Sequence, residues 1–107
     1  MAQREMNEYL FEVETPIHFK VHTTDVYWQK LLIKHPELEG KLNDIQNTLR
    51  QPMEIRKSKR NELIFLFYAE DIKHWICVVT KKIGLEGFLV TAYITDKIKE
   101  GEIIWRK

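Results

Sequence analysis

Gly87-Phe88-Leu89-Val90-Thr91-Ala92-Tyr93-Ile94-Thr95 is the stretch on which the fold turns. With a period of two it has unlike faces. Phe88, Val90, Ala92 and Ile94 point one way, suited to packing under helices. Leu89, Thr91, Tyr93 and Thr95 point the other way and carry three hydroxyls with no charge among them. Thr and Tyr are good strand formers, so β-propensity alone accounts for such a ladder. The ladder also suits the floor of a polar-ligand site.

Working backwards, Gly84 to Gly87 supplies a hairpin turn. His74 to Lys81 reads as a strand with Trp75, Cys77 and Val79 on one face and Ile76 and Val78 on the other. Ala69 to Lys73 is a turn. Leu63 to Tyr68 is nearly all apolar, as a central strand should be. Met53 and Ile55 alternate with Glu54, Arg56 and Ser58 in another strand, which leads into a basic turn from Ser58 to Glu62.

Before these strands the pattern is helical. Leu38, Leu42, Ile45 and Leu49 form an amphipathic stripe. Its helix is expected to start at His35-Pro36-Glu37, with His35 as N-cap, and to end at Gln51-Pro52. A shorter helix from Val26 to Lys34 buries Tyr27, Trp28, Leu31 and Leu32 after the N-cap chemistry of Thr23-Thr24-Asp25. Ile17, Phe19 and Val21 alternate with His18, Lys20 and His22 as a first strand. Residues 1–14 are acidic and weakly patterned, and are expected to be a flexible arm before a single domain at 15–107. The order β-α-α-β-β-β-β predicts an α+β fold, with two N-terminal helices on a four- to five-stranded antiparallel sheet.

The bulk numbers bound the rest. The chain has 107 residues, 44% of them apolar and 31% charged, with a net charge of +1. That balance describes one ordinary globular domain rather than a generic polyanion binder. No run is long enough to span a bilayer, and the start is too polar for a signal peptide. Cys77 has no partner for an internal disulfide, which favours a cytoplasmic setting. No Cys/His spacing suggests zinc, and His18 with His22 lacks a third ligand, so no metal or other cofactor is expected.

Parity places Arg56 and Ser58 on the same open sheet face as Thr91, Tyr93 and Thr95. A guanidinium donates two parallel hydrogen bonds to a phosphate, and hydroxyls add further donors. Lys57, Lys59 and Arg60 lie beside them. An imidazole at a helix start meets N–H groups that attract anions and exchanges protons near neutral pH, which singles out His35. A solvated sheet face and a His-Pro helix start account for the same residues without any ligand.

Together, Trp28, Lys34-His35-Pro36-Glu37-Leu38, Ile55, Ser58, Tyr68, Val90-Thr91-Ala92-Tyr93-Ile94-Thr95 and Gly101-Glu102 through Trp105 resemble the phage-associated barnase/EndoU/colicin/RelE-like nucleases, small α+β domains of the BECR fold. The resemblance spans roughly residues 16–106. It implies a toxin-like, metal-independent endoribonuclease that cleaves tRNA or mRNA by 2′-hydroxyl attack on the adjacent phosphate. His35 is then the proton carrier and Arg56 the phosphate clamp, with Ser58, Thr91, Tyr93 and Thr95 positioning the phosphate. The family often has a second histidine five residues before the His-Pro-Glu histidine, and this chain has Lys30 there. The implied partners are RNA and a neutralising antitoxin or immunity protein; the expected state is a monomer or weak dimer. The alternative is a non-catalytic RNA- or protein-binding module of the same fold.

Overall fold

The computed structural model describes residues 8–107. Its elements are β1 (Phe11–Glu14), β2 (Lys20–Thr23), α1 (Asp25–Lys34), a 3-10 turn (Pro36–Leu38), α2 (Leu42–Arg50), β3 (Glu54–Lys57), β4 (Ile64–Asp71), β5 (His74–Ile83), β6 (Glu86–Thr95) and β7 (Glu102–Arg106). The fold is α+β, with one seven-stranded sheet in the order β1-β2-β6-β5-β4-β3-β7. The pairing of β2 with β6 is parallel, and the other neighbours run antiparallel. The sheet is therefore larger than the four to five strands expected, and mixed rather than antiparallel.

Both ends of the chain account for the extra strands. Phe11 and Val13 alternate with Glu12 and Glu14, and both apolar side chains are buried. This short amphipathic repeat pairs with β2 instead of belonging to a flexible arm. Residues 1–7, the rest of the expected arm, lie outside the described residues. At the other end Ile103 to Trp105 pairs with β3 on the far edge.

The second helix is shorter than its apolar stripe suggests. Gly40 adopts φ +81°, a left-handed conformation that an α-helix does not admit. The segment becomes a single 3-10 turn, and α2 starts at Leu42. His35 is consequently the C-cap of α1, its N–H bonded to Leu31 O at 2.8 Å, rather than the N-cap of a long helix.

Helices and sheet enclose the main core. Leu38, Ile45 and Leu49 meet Ile55, Phe67 and Val78, all with essentially no exposure. Each such side chain contributes roughly 1.5–3 kcal/mol from burial. Where β2 meets β6 the approach is close: a Cβ on Gly87 would lie 2.7 Å from the Phe19 ring. Met53, which alternation groups with the buried Ile55, is exposed instead.

A second apolar cluster occupies the opposite sheet face, built on Leu66, Tyr68 and Cys77, with Trp75, Val79, Tyr93 and Ile98 packed against it. Topology explains why that face is not open. β6 and β7 are separated in the sheet by β5, β4 and β3. The connection must cross four strand spacings of about 4.8 Å, roughly 19 Å in all. The chain between Thr95 and Glu102 covers that distance only when nearly extended, at about 3.4 Å per residue. It forms a strap, and Ile98 is pressed onto the sheet beneath it.

Candidate functional site

The geometry of β6 sets the site. A β-bulge shifts its register, so that Thr80 pairs with Leu89 while Val79 pairs with Thr91, leaving Val90 extra. The alternation slips there. Leu89 goes to the buried core and Phe88 to the other face, opposite to strict alternation from Gly87. From Thr91 onward the expected parity holds: Ala92 joins the helix-side core, and Tyr93 packs on the opposite face.

The outer edge of β6 is only partly covered by a strand. β2 pairs with it over Glu86, Gly87 and Phe88, and then the chain turns into α1. Beyond Phe88 it is α1 that lies along the edge. Tyr27 Oη donates to Val90 O at 2.6 Å and ties the helix to the bulge. An unfilled groove of 460 Å³ remains between the last turns of α1 and β6. Lys30, Lys34 and His35 line one wall, and Thr91 and Tyr93 line the other.

Four of the expected catalytic residues, Lys30, His35, Thr91 and Tyr93, thus come together. Lys34 joins them at i+4 from Lys30, a neighbour that spacing alone could have supplied. The His35 side chain is 42% exposed, and its Nδ1 lies 3.4 Å from Glu37 Oε2. Glu37 is thus the carboxylate beside Nδ1, and Nε2 has no partner among the described residues. The carboxylate is present because Pro36 starts a turn that brings Glu37 back beside His35.

Arg56 is placed elsewhere. It sits on β3, with β4 and β5 between it and β6. Its Nε donates to Glu54 Oε2, and its Nη1 reaches Gly101 O at 3.4 Å, fastening the end of the strap. Glu54 also accepts from Arg106 Nε at 3.3 Å. Ser58 caps the β3–β4 turn by accepting from the backbone N–H of Arg60 and of Asn61. Lys59 and Arg60 are exposed on that turn. Lys57 pairs with Phe65 and shares the parity of Ile55, the helix-side face, so it does not join Arg56. Thr95 Oγ1 donates to Lys97 O at 3.1 Å and shapes the start of the strap.

The phenol of Tyr93 faces a buried neighbourhood. Cys77 is its partner across the strands, and Tyr68 is the partner of Cys77. Burial pushes the Tyr93 hydroxyl well above its usual range, with added effects of Cys77 and Tyr68. Burial and Cys77 push Tyr68 up as well, against a smaller opposing pull from the Tyr93 hydrogen bond and the Arg56 charge. The Cys77 thiol is pushed up to about 11 by burial. All three stay protonated near neutral pH, so Tyr93 is a hydrogen-bond donor and Cys77 is not a nucleophile.

The other sequence candidates have structural places. His18 lies in the β1–β2 turn at φ +69°, while His22 is buried in β2 and stacked on Tyr9 at 4.0 Å, so the two do not share a strand face. Trp75 lies on the strap side with Cys77 and Val79. Trp105 packs against the helix-side core. No helix among the described residues is long and apolar enough to cross a membrane. Comparison with protein-family models, curated proteins and solved structures finds no match to this chain.

Proposed function

We propose that the chain is a metal-independent endoribonuclease of the BECR type, acting in the α1–β6 groove. The observation that carries this reading is the convergence of Lys30, Lys34, His35, Thr91 and Tyr93 on one cavity. Cations, a proton carrier and neutral hydroxyl donors are what 2′-hydroxyl attack requires. His35 Nε2 takes the proton from the ribose 2′-hydroxyl. The 2′ oxygen bonds to phosphorus, the bond from phosphorus to the 5′ oxygen breaks, and a 2′,3′-cyclic phosphate remains. The Lys30 ammonium protonates the departing 5′ oxygen. Thr91 donates to a non-bridging oxygen and Lys34 balances its charge, while the Tyr93 ring walls the groove with its hydroxyl turned toward Cys77 and Tyr68.

Arg56 has no part in this scheme, because Glu54 already neutralises it three strands away. That observation also favours a second reading, an RNA-binding module without turnover, since among the described residues no guanidinium lines the groove to stabilise charge on phosphorus. Incubation of the full chain with single-stranded RNA and tRNA in excess EDTA separates the two. Products ending in 2′,3′-cyclic phosphate, lost in His35→Ala and reduced in Thr91→Ala, are expected. Intact RNA with salt-sensitive binding would leave only the second reading.

A further inference from the structure

The groove is one of three hollows strung along β6 from Phe88 to Thr95; a fourth, at Glu86, is lined by Glu12, Glu14 and Glu86 and is the acidic boundary of the line. A second, of 520 Å³, lies under the strap and is lined by Tyr68, Tyr93, Thr95, Lys97, Lys99 and Glu100. It shares Tyr93 with the groove. A third, of 390 Å³, lies at the other end of β6, between Phe88, Lys81 and the start of α1. It shares Tyr27 and Val90 with the groove. From Phe88 to Thr95 the strand covers about 23 Å at its usual rise, the length of several nucleotides rather than one.

Charge and ring placement along this line are uneven. Lys81 stands at one end, Lys30 and Lys34 in the middle, and Lys97 and Lys99 at the other end; Glu100 is the one carboxylate lining any of the three hollows. Phe88, Tyr27 and Tyr93 mark the same three stations. Lysines spaced along a cleft with aromatic side chains between them are the pattern by which a single strand is held, backbone on cations and bases on rings. A duplex has its bases paired and offers no free ring faces to the aromatics.

We infer that the substrate is a single-stranded RNA segment laid along β6, with Lys81 at one end and Lys97 with Lys99 at the other fixing affinity outside the reacting phosphate. This inference rests on the proposed RNA-cleaving reading for its polarity and its centre. Its test does not depend on cleavage. Labelled 2′-O-methyl RNA, which lacks the attacking hydroxyl, is titrated with the full chain at several salt concentrations, in lengths from about two to about ten nucleotides.

Affinity should rise at least tenfold across the series and then level off once both ends are occupied. A duplex of the same sequence should bind at least tenfold more weakly, and a polyglutamate peptide of equal charge likewise. Lys81→Ala and Lys97→Ala should each weaken binding of long oligomers and flatten the salt dependence by about one ion, with little effect on the shortest. Equal binding of duplex or polyglutamate, no gain with length, or salt slopes unmoved in both variants would overturn the track. Length-dependent binding without cleavage of natural RNA would leave the track standing and remove the catalytic reading. Cleavage without length dependence would do the reverse.

Discussion

Tyr93 divides two polar neighbourhoods that are alike in composition and opposite in condition. On the strap side Glu54, Arg56, Tyr68 and Cys77 lie in contact with the sheet face or with one another, and all are largely buried. The Glu54 and Arg56 side chains keep only 9% and 16% of their exposure, and their charges answer each other. On the groove side Lys30 and Lys34 have no carboxylate among the groove-lining residues, and His35 keeps one nitrogen free. The lesson is that residue type does not mark a site. An arginine with hydroxyls around it is structural once a buried glutamate has claimed it, while a lysine pair beside an unfilled cleft is available for chemistry.

The largest expected effect breaks the strap side. Glu54→Ala leaves the largely buried Arg56 charge without its partner, a change that costs about 3 kcal/mol in comparable buried pairs. Urea denaturation should show that loss, and the surviving folded fraction should keep its RNA cleavage per molecule. A stability change under about 0.5 kcal/mol, the size usual for surface substitutions, would mean that the pair is not buried in solution.

The next expectation concerns the groove. His35→Ala should lower cleavage about a hundredfold, the low end of the range for a positioned proton carrier, while thermal stability stays nearly constant. Arg56→Ala should show the reverse pattern, with a lower melting temperature and nearly unchanged specific activity. If Arg56→Ala abolished cleavage in a protein that melts normally, the division drawn at Tyr93 would be wrong.

The two sides were not equally legible in the sequence. The α+β class, α1, the meander from β3 to β6 and the inward residues of β5 all follow from periodicity, because each element alternates over its own length. The strap does not, since Asp96 to Gly101 has no period and is placed only by the requirement that β7 reach the far edge of β3. Without the strap, parity alone groups Arg56 with Tyr93 on an apparently open face. The bulge at Val90 was equally silent: an extra residue leaves no mark in an apolar run. His35 stands out in the sequence as a helix start, a reason the structure changes. The histidine caps the end of α1, and the groove exists because β2 stops four residues after it begins. Gly40 looks in the sequence like a slight weakening on the outer part of the helix, whereas its left-handed backbone ends the helical run outright.

A smaller effect sharpens the comparison through pH. The Cys77 thiol has an ordinary value of 9.0 and is pushed up to about 11 in the folded chain. Between those values the unfolded chain loses the thiol proton and the native chain keeps it. Stability from this group is therefore full below about pH 9 and falls as pH rises toward 11. Tyr68 and Tyr93, also shifted upward, extend the decline to higher pH. Denaturation midpoints measured across this alkaline range should fall in the native sequence and fall less in Cys77→Ala. In the same experiment native Cys77 should resist alkylation at neutral pH and react readily once urea unfolds the chain.

The smallest expected effect lies on the seam between the groove and its neighbouring hollow. Tyr27→Phe removes one hydroxyl that donates to Val90 O, a bond whose net contribution is about 1 kcal/mol. Its ring remains, so stacking is retained while the tie between α1 and the bulge is lost. Global stability should drop by no more than that amount. The informative readout is amide exchange along β6: protection should fall around the bulge and hold at Tyr93, where cross-strand pairing to β5 continues. Unchanged protection at the bulge would mean that helix packing through Trp28 and Leu31 alone keeps α1 against the strand edge, and that the groove's width is set by the core beneath it rather than by Tyr27.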